Sequence, residues 1–181
     1  LERRGRNNLQ LILSLVKLQE EYPPSTAVAA LARVSGQIQI LSSVYDESIE
    51  GDEIVEIAAW CRAFVSSIAQ SLVQPGIIAF SAGASAARML RRDAQSLGFA
   101  LVELVVDASE RARLASRPTR VEIALAEDGD SRVTLSIRDD QPSIGIPRLA
   151  AILAELIDGS LREKTGAKQT ERELVFKASR A

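Results

Sequence analysis

Two successive amphipathic helix patterns, divided by Pro23-Pro24, constrain this chain more than any other feature. Residues 1–22 carry Leu9, Ile12, Leu13 and Val16 as one apolar stripe and Leu11, Leu15 and Leu18 as a second. A helix with one neighbour needs one stripe, so this helix is expected to lie among several others. The paired prolines stop it, and Ser25 or Thr26 stands where the cap of the next helix belongs. That second helix is expected to run to about Glu47. Its apolar positions Val28, Leu31, Val34, Ile38, Leu41 and Tyr45 form a heptad-like seam suited to the shallow crossing of a bundle. A hairpin of two such helices cannot bury both seams alone. Pairing of two chains into a dimeric four-helix bundle solves this; packing of the hairpin on the chain's own second domain is the alternative.

The pattern changes after a polar, acidic linker at Ser48–Glu53. Residues 53–73 return to helical spacing, Gln74-Pro75-Gly76 is a turn, and Ile77–Phe80 is a short strand candidate. Arg88–Ala115 reads as helix with a break expected near Gly98. Val121–Ala126 and Arg132–Arg138 alternate as strands do, and Glu-Asp-Gly-Asp-Ser at 127–131 is a hairpin signal between them. Ile146–Leu156 is a helix ended by Asp158-Gly159, and Leu174–Lys177 is a closing strand. The expected organisation is a helical hairpin over 1–50 followed by an α/β domain over 51–181, with helices on one face of a small, mostly antiparallel sheet.

Composition removes several classes of function. The 181 residues include no histidine, so imidazole catalysis, a Ser-His-Asp triad and histidine metal sites are excluded. A single cysteine, Cys61, excludes an internal disulfide or a thiolate zinc cluster, and its apolar neighbourhood Ile57–Val65 marks it as a buried thiol. The net charge of -2 and the lack of a long basic run give no attraction to nucleic acid or to an acidic membrane. No run approaches eighteen apolar residues, so no span of a bilayer is expected. Leu1 enters the helical pattern without a cap, which leads to the expectation of a longer protein, membrane-anchored or not, around a cytoplasmic portion.

The segment Arg4-Gly5-Arg6-Asn7-Asn8-Leu9-Gln10, continuing to Leu13-Ser14-Leu15-Val16-Lys17-Leu18-Gln19, resembles the opening of the dimerisation helix of the HisKA_2 histidine kinases. That family begins His-Arg-Val-Lys-Asn-Asn-Leu-Gln and continues with a Ser-Leu-Leu-x-Leu-Gln-like stretch. In register, its phosphate-accepting histidine falls on Arg3. A guanidinium stays protonated and has no lone pair with which to attack phosphorus. The resemblance also implies an ATPase-like (Bergerat-type) second half, and there the motifs are degraded. The family's Asn-Glu-Leu-x-x-Asn-Ala helix corresponds to Val102–Ala108, with Glu103 retained and Asp107 in place of the magnesium-holding asparagine. The family's Asp-Asn-Gly-x-Gly corresponds to Asp139-Asp140-Gln141-Pro142-Ser143. Asp139 is kept, but Gln141 and Pro142 block the close backbone approach that glycine permits. The Gly-x-Gly phosphate loop shrinks to Gly145 before the next helix, and Asp158-Gly159-Ser160-Leu161 resembles the closing Gly-Gly-Ser-Leu turn.

What the resemblance implies is therefore a two-component signalling pseudokinase that does not use ATP and magnesium of its own. Its expected partners are a second copy and a response-regulator receiver domain, docked at Arg3, Arg4, Arg6, Asn7 and Asn8. A phosphatase role would have Asn7, four residues after Arg3 and so on the same helix face, orient water, while Arg3 or Arg4 stabilises phosphoryl charge. The receiver would supply the magnesium. A non-enzymatic dimeric scaffold is the alternative; a phosphotransfer protein with a decayed ATPase domain would need the missing histidine.

Overall fold

The computed structural model describes residues 26–44, 54–71, 78–83, 85–118, 120–128, 131–166 and 169–178. The first amphipathic segment and the linker at Ser48–Glu53 lie outside the described residues. Helix α1 (Ala27–Val44) is the expected second helix. Its cap is Thr26, whose Oγ1 accepts the Ala29 N–H at 3.2 Å. A short strand β1 (Ile54–Glu56) leads into α2 (Ile57–Ser71), then come β2 (Ile78–Ala82), β3 (Arg88–Leu90) and the long α3 (Arg91–Leu114). The chain finishes with β4 (Val121–Glu127), β5 (Arg132–Asp139), α4 (Arg148–Glu155), β6 (Ser160–Thr165) and β7 (Thr170–Lys177).

Five strands form one sheet in the order β2-β4-β5-β7-β6, parallel at β2–β4 and antiparallel elsewhere, while β1 and β3 form a separate antiparallel pair. Alternation works as it should. Val121, Ile123 and Leu125 of β4, Val133, Leu135 and Ile137 of β5, and Leu174 and Phe176 of β7 are buried on one face. Helix α3 contributes Leu97, Leu101, Leu104 and Val105 to the same core, and α2 adds Phe64, Val65 and Ile68. Helices α1 and α4 both pack against α3. Cys61 is fully buried in α2, and burial pushes its thiol up to about 12, the inert thiol expected from its neighbours.

Several expectations need correction, the first being that residues 54–56 and 88–90, expected within helices, form the paired strands β1 and β3. Helix α3 runs through Gly98 without a break, because Gly98 is buried in the helix and tertiary packing outweighs a propensity cost of about 1 kcal/mol. The closing strand begins at Thr170 rather than Leu174, because charged residues at its start hide the alternation. Strand β6 was not expected at all. It is an edge strand whose exposed Arg162 and Lys164 guard against further pairing, and such strands read as polar loop. The turn before it matches the expected helix stop. Asp158 adopts φ 51° and the Gly159 N–H reaches Ala154 O at 3.0 Å. A Cβ on Gly159 would meet that oxygen at 3.0 Å and Val175 O at 3.1 Å, so glycine is required there by close approach.

Candidate functional site

The helical repeat places Glu103, Asp107 and Arg111 on one face of α3, each a turn beyond the last. Asp139 ends β5 on the buried side, and Arg172 occupies an inward position of β7 between Thr170 and Leu174. Strand β6 pairs with β7 so that Glu163 lies directly opposite Arg172. The loop after Asp139 then carries Gln141, Ser143 and Gly145 back across this end of the sheet.

These groups close into one network. Arg111 grips Asp139 with two parallel bonds, Nη1 to Oδ1 at 2.9 Å and Nη2 to Oδ2 at 2.8 Å. Its Nε donates to Asp107 Oδ2 at 3.0 Å and its Nη1 also reaches Pro142 O at 3.0 Å. Arg172 is 1% exposed and spreads its donors over Asp107 Oδ2 at 2.8 Å, Glu163 Oε2 at 2.8 Å and Gly145 O at 2.9 Å. Ser143 Oγ donates to Glu163 Oε1 at 2.6 Å, and the Gln141 N–H donates to Asp139 Oδ1 at 2.9 Å. Thr170 Oγ1 ties the loop down by donating to Gln141 O at 2.7 Å.

The electrostatics follow from this wiring. Burial opposes the Arg111 charge, yet the hydrogen bond to Asp139 and the fields of Asp107 and Asp139 outweigh it and hold its pKa above the ordinary value. Burial tends to raise Glu163, but the bonds from Ser143 and Arg172 and the positive fields of Arg172 and Arg111 bring it below the usual carboxylate range. Chemically the cluster is self-satisfied: both oxygens of Asp139 already accept protein donors, and Asp107 Oδ2 accepts two guanidinium groups. A shallow cavity of about 300 Å³ lies beside it, lined by Arg120, Glu122, Arg138, Asp139, Asp140 and Gln169. Its lining carries both signs of charge and no large apolar side chain on which a purine base would stack.

Of the residues singled out in the sequence, Asp107, Asp139 and Gly145 are brought together by Arg111 and Arg172. Glu103 stands apart. It is 2% exposed and faces Arg33 of α1, with Nε 2.7 Å from Oε2. Burial raises its pKa to about 7, against the lowering effect of Arg33 and with a further raising effect from Asp107. Arg3, Arg4, Arg6, Asn7 and Asn8 lie outside the described residues. Arg33, Arg111, Glu163 and Arg172 were missed. Arg111 was findable as the residue one turn after Asp107, and Arg172 as an arginine on the apolar phase of a strand.

The histidine kinase family HisKA_2 matches residues 2–74. No curated protein matches the sequence. Among solved structures, the chain is similar to the histidine kinase domain of the blue-light activated histidine kinase of Erythrobacter litoralis, with 17% identity and a TM-score of 0.68 over 93% of this chain and 86% of that one. Residues 2–74 carry the match to the HisKA_2 family, and the chain as a whole shares the fold of histidine kinase domains. It spans 57% of the longer Erythrobacter kinase chain, matching over 98% of its own length at 17% identity and a TM-score of 0.70. The chain is also similar to the ATP binding domain of PrrB from Mycobacterium tuberculosis, at 13% identity and a TM-score of 0.55, covering 71% of this chain and 100% of that one. The five-stranded sheet and its helices are thus an ATPase-like layer in fold, and the family match over residues 2–74 supports two-component signalling. No helix among the described residues is long and apolar enough to cross a membrane.

Proposed function

We propose that this histidine kinase core is a pseudokinase of two-component signalling, which engages a receiver domain without phosphorylating itself. The observation that carries this reading is the arginine-filled site: Arg111 saturates Asp139 and Arg172 engages Asp107, at the positions that correspond to the family's adenine and magnesium contacts. Gln141 stands at the first glycine position of that motif, buried, with Nε2 donating to Asp140 Oδ1 at 2.9 Å. These residues do not fit ATP with magnesium. Arg3 at the acceptor position independently removes the nucleophile. Titration of the full chain with magnesium-ATP in a calorimeter is expected to show no binding up to about 1 mM nucleotide; a micromolar Kd would sink the reading.

Receiver binding in this reading uses Arg3, Arg4, Arg6, Asn7 and Asn8 against the acidic receiver pocket. Homodimerisation through a four-helix bundle is part of the same proposal. It is supported by Leu31 and Ile38, 71% and 55% exposed, which with Val34 form the described part of the apolar seam. The associated activity is hydrolysis of the receiver's phospho-aspartate. Water held by the Asn7 carboxamide attacks phosphorus, the bond from phosphorus to the aspartate oxygen breaks, the carboxylate leaves, and the proton of the attacking water stays on the released phosphate or passes to solvent. The receiver's own magnesium and the charge of Arg3 or Arg4 stabilise the phosphoryl oxygens. Decay of a phosphorylated cognate receiver should accelerate in the presence of the core, and Asn7→Ala should remove about 10²-fold of that acceleration. Binding with unchanged decay would leave a non-enzymatic scaffold.

A further inference from the structure

We propose that Arg111 and Arg172 act as tethered cations, which hold residues 140–147 shut as a strap across this end of the sheet with no nucleotide or metal bound. The strap joins β5 to α4, and every one of its residues is described. Gln141 alone among them is buried, and Ile144 is 78% exposed. Pro142 and Pro147 lack an N–H, so regular backbone pairing does not fix the path either. Gly145 adopts φ 108°, a backbone path that side-chain-bearing residues rarely take. With little apolar burial and no strand pairing, the order of such a segment comes from ties to its neighbours.

Those ties are mostly cationic. Three strap carbonyls accept from side chains of the body: Pro142 O from Arg111 Nη1 at 3.0 Å, Gly145 O from Arg172 Nη2 at 2.9 Å and Gln141 O from Thr170 Oγ1 at 2.7 Å. Ser143 Oγ adds its bond to Glu163 Oε1, and Arg172 holds the other oxygen of that carboxylate. The two arginines also meet at Asp107 Oδ2. Around Arg172 the acceptors are two carboxylates and a carbonyl, an all-oxygen set of the kind a hard divalent cation takes. A guanidinium fills it instead. It keeps its charge throughout the pH range of a folded protein, and its covalent tether prevents it from leaving on dilution as a bound ion does. Residues that do not fit magnesium-ATP thus supply a fixed positive charge of their own, and strap order becomes independent of ligand.

Ordering of the strap by these arginines is separable from ATP binding, which the calorimetric titration decides. The test is backbone amide spin relaxation on the full chain, read at Ser143, Ile144 and Gly145. Nucleotide-free wild type in EDTA is expected to give order parameters of about 0.8, close to those of β5. Values below about 0.6 there overturn the proposal. Adding magnesium-ATP to wild type is expected to leave them unchanged, and a rise overturns it, because a ligand would then complete the closure. Arg172→Met is expected to take the strap below about 0.6 while β5 stays near about 0.85; a strap as ordered as in wild type overturns the proposal. Ser143→Ala removes a half-buried tie without touching either guanidinium, so it tests the same point in a chain with its core intact. The strap is expected to stay above about 0.7 in that variant. Collapse below about 0.6 assigns the order to the serine and not to the arginines, which also overturns the proposal.

Discussion

Arg172→Met is expected to lower the unfolding free energy by about 3–5 kcal/mol, read from urea or thermal melts. The side chain is 1% exposed and serves three acceptors on three different segments: Asp107 on α3, Glu163 on β6 and Gly145 in the loop. Methionine fills much of the volume but leaves two carboxylates facing each other without the cation between them. Breaking one side of a buried pair is costly because the remaining charge has lost its solvent and its partner together. For a chain of this size the melting temperature should fall by about 10 °C. Lysine is expected to recover little, since one ammonium cannot reproduce a planar fork aimed at three oxygens. Adding Asp107→Asn to Arg172→Met should give back part of the loss, and the coupling measures the pair. A loss below about 1 kcal/mol for Arg172→Met would show that solvent reaches the cluster and that it is not closed.

The second large effect is a dependence of stability on pH through Glu103. Its pKa in the fold is raised to about 7 from the ordinary value of 4.5, chiefly by burial. A carboxyl whose pKa is raised on folding contributes its stability in full below the unfolded value, and that contribution is lost as pH rises through the folded value. Stability is therefore expected to fall by about 2 kcal/mol between pH 5 and pH 8, with a slope approaching about 1.4 kcal/mol per unit in the middle of the window. The chain has no histidine, so no side chain of ordinary pKa titrates there to mask the effect. Glu163 behaves oppositely. Its lowered pKa gives stability that is present at neutral pH and lost only in acid, below the usual carboxylate range. Denaturant melts across pH 5–8 should show the decline in wild type and a flat profile in Glu103→Gln; an identical slope in both assigns the dependence to other groups.

The two effects explain why one face of α3 was only half legible beforehand. Glu103 and Asp107 stand out as remnants of a motif, and motif spacing is a property of the linear chain. Arg111 continues the same face by the helical repeat, so the sequence contained that signal without marking its target. Arg172 and Glu163 are different. They meet because β6 and β7 pair in one register, and nothing local in either strand specifies which charge lies opposite which. Gln141 looked like a simple obstruction to a glycine loop. In the fold its backbone N–H is bonded to Asp139 and its carbonyl to Thr170, so it shapes the loop as well as fills it.

Sequence alone determined the helices, the β4–β5 hairpin and the class of the fold, because apolar periodicity and turn residues act over a few neighbours. It also determined that no histidine is available at any position, since an absent functional group needs no coordinates to be missing. Tertiary structure alone decided that Arg111 and Arg172 meet Asp107, Asp139 and Glu163, and that Arg33 of α1 meets Glu103 of α3. Both outcomes depend on charges distant in the chain finding each other in a dry interior. There a guanidinium stays only where carboxylates or carbonyls are already arranged to receive it, as they are around Arg111 and Arg172.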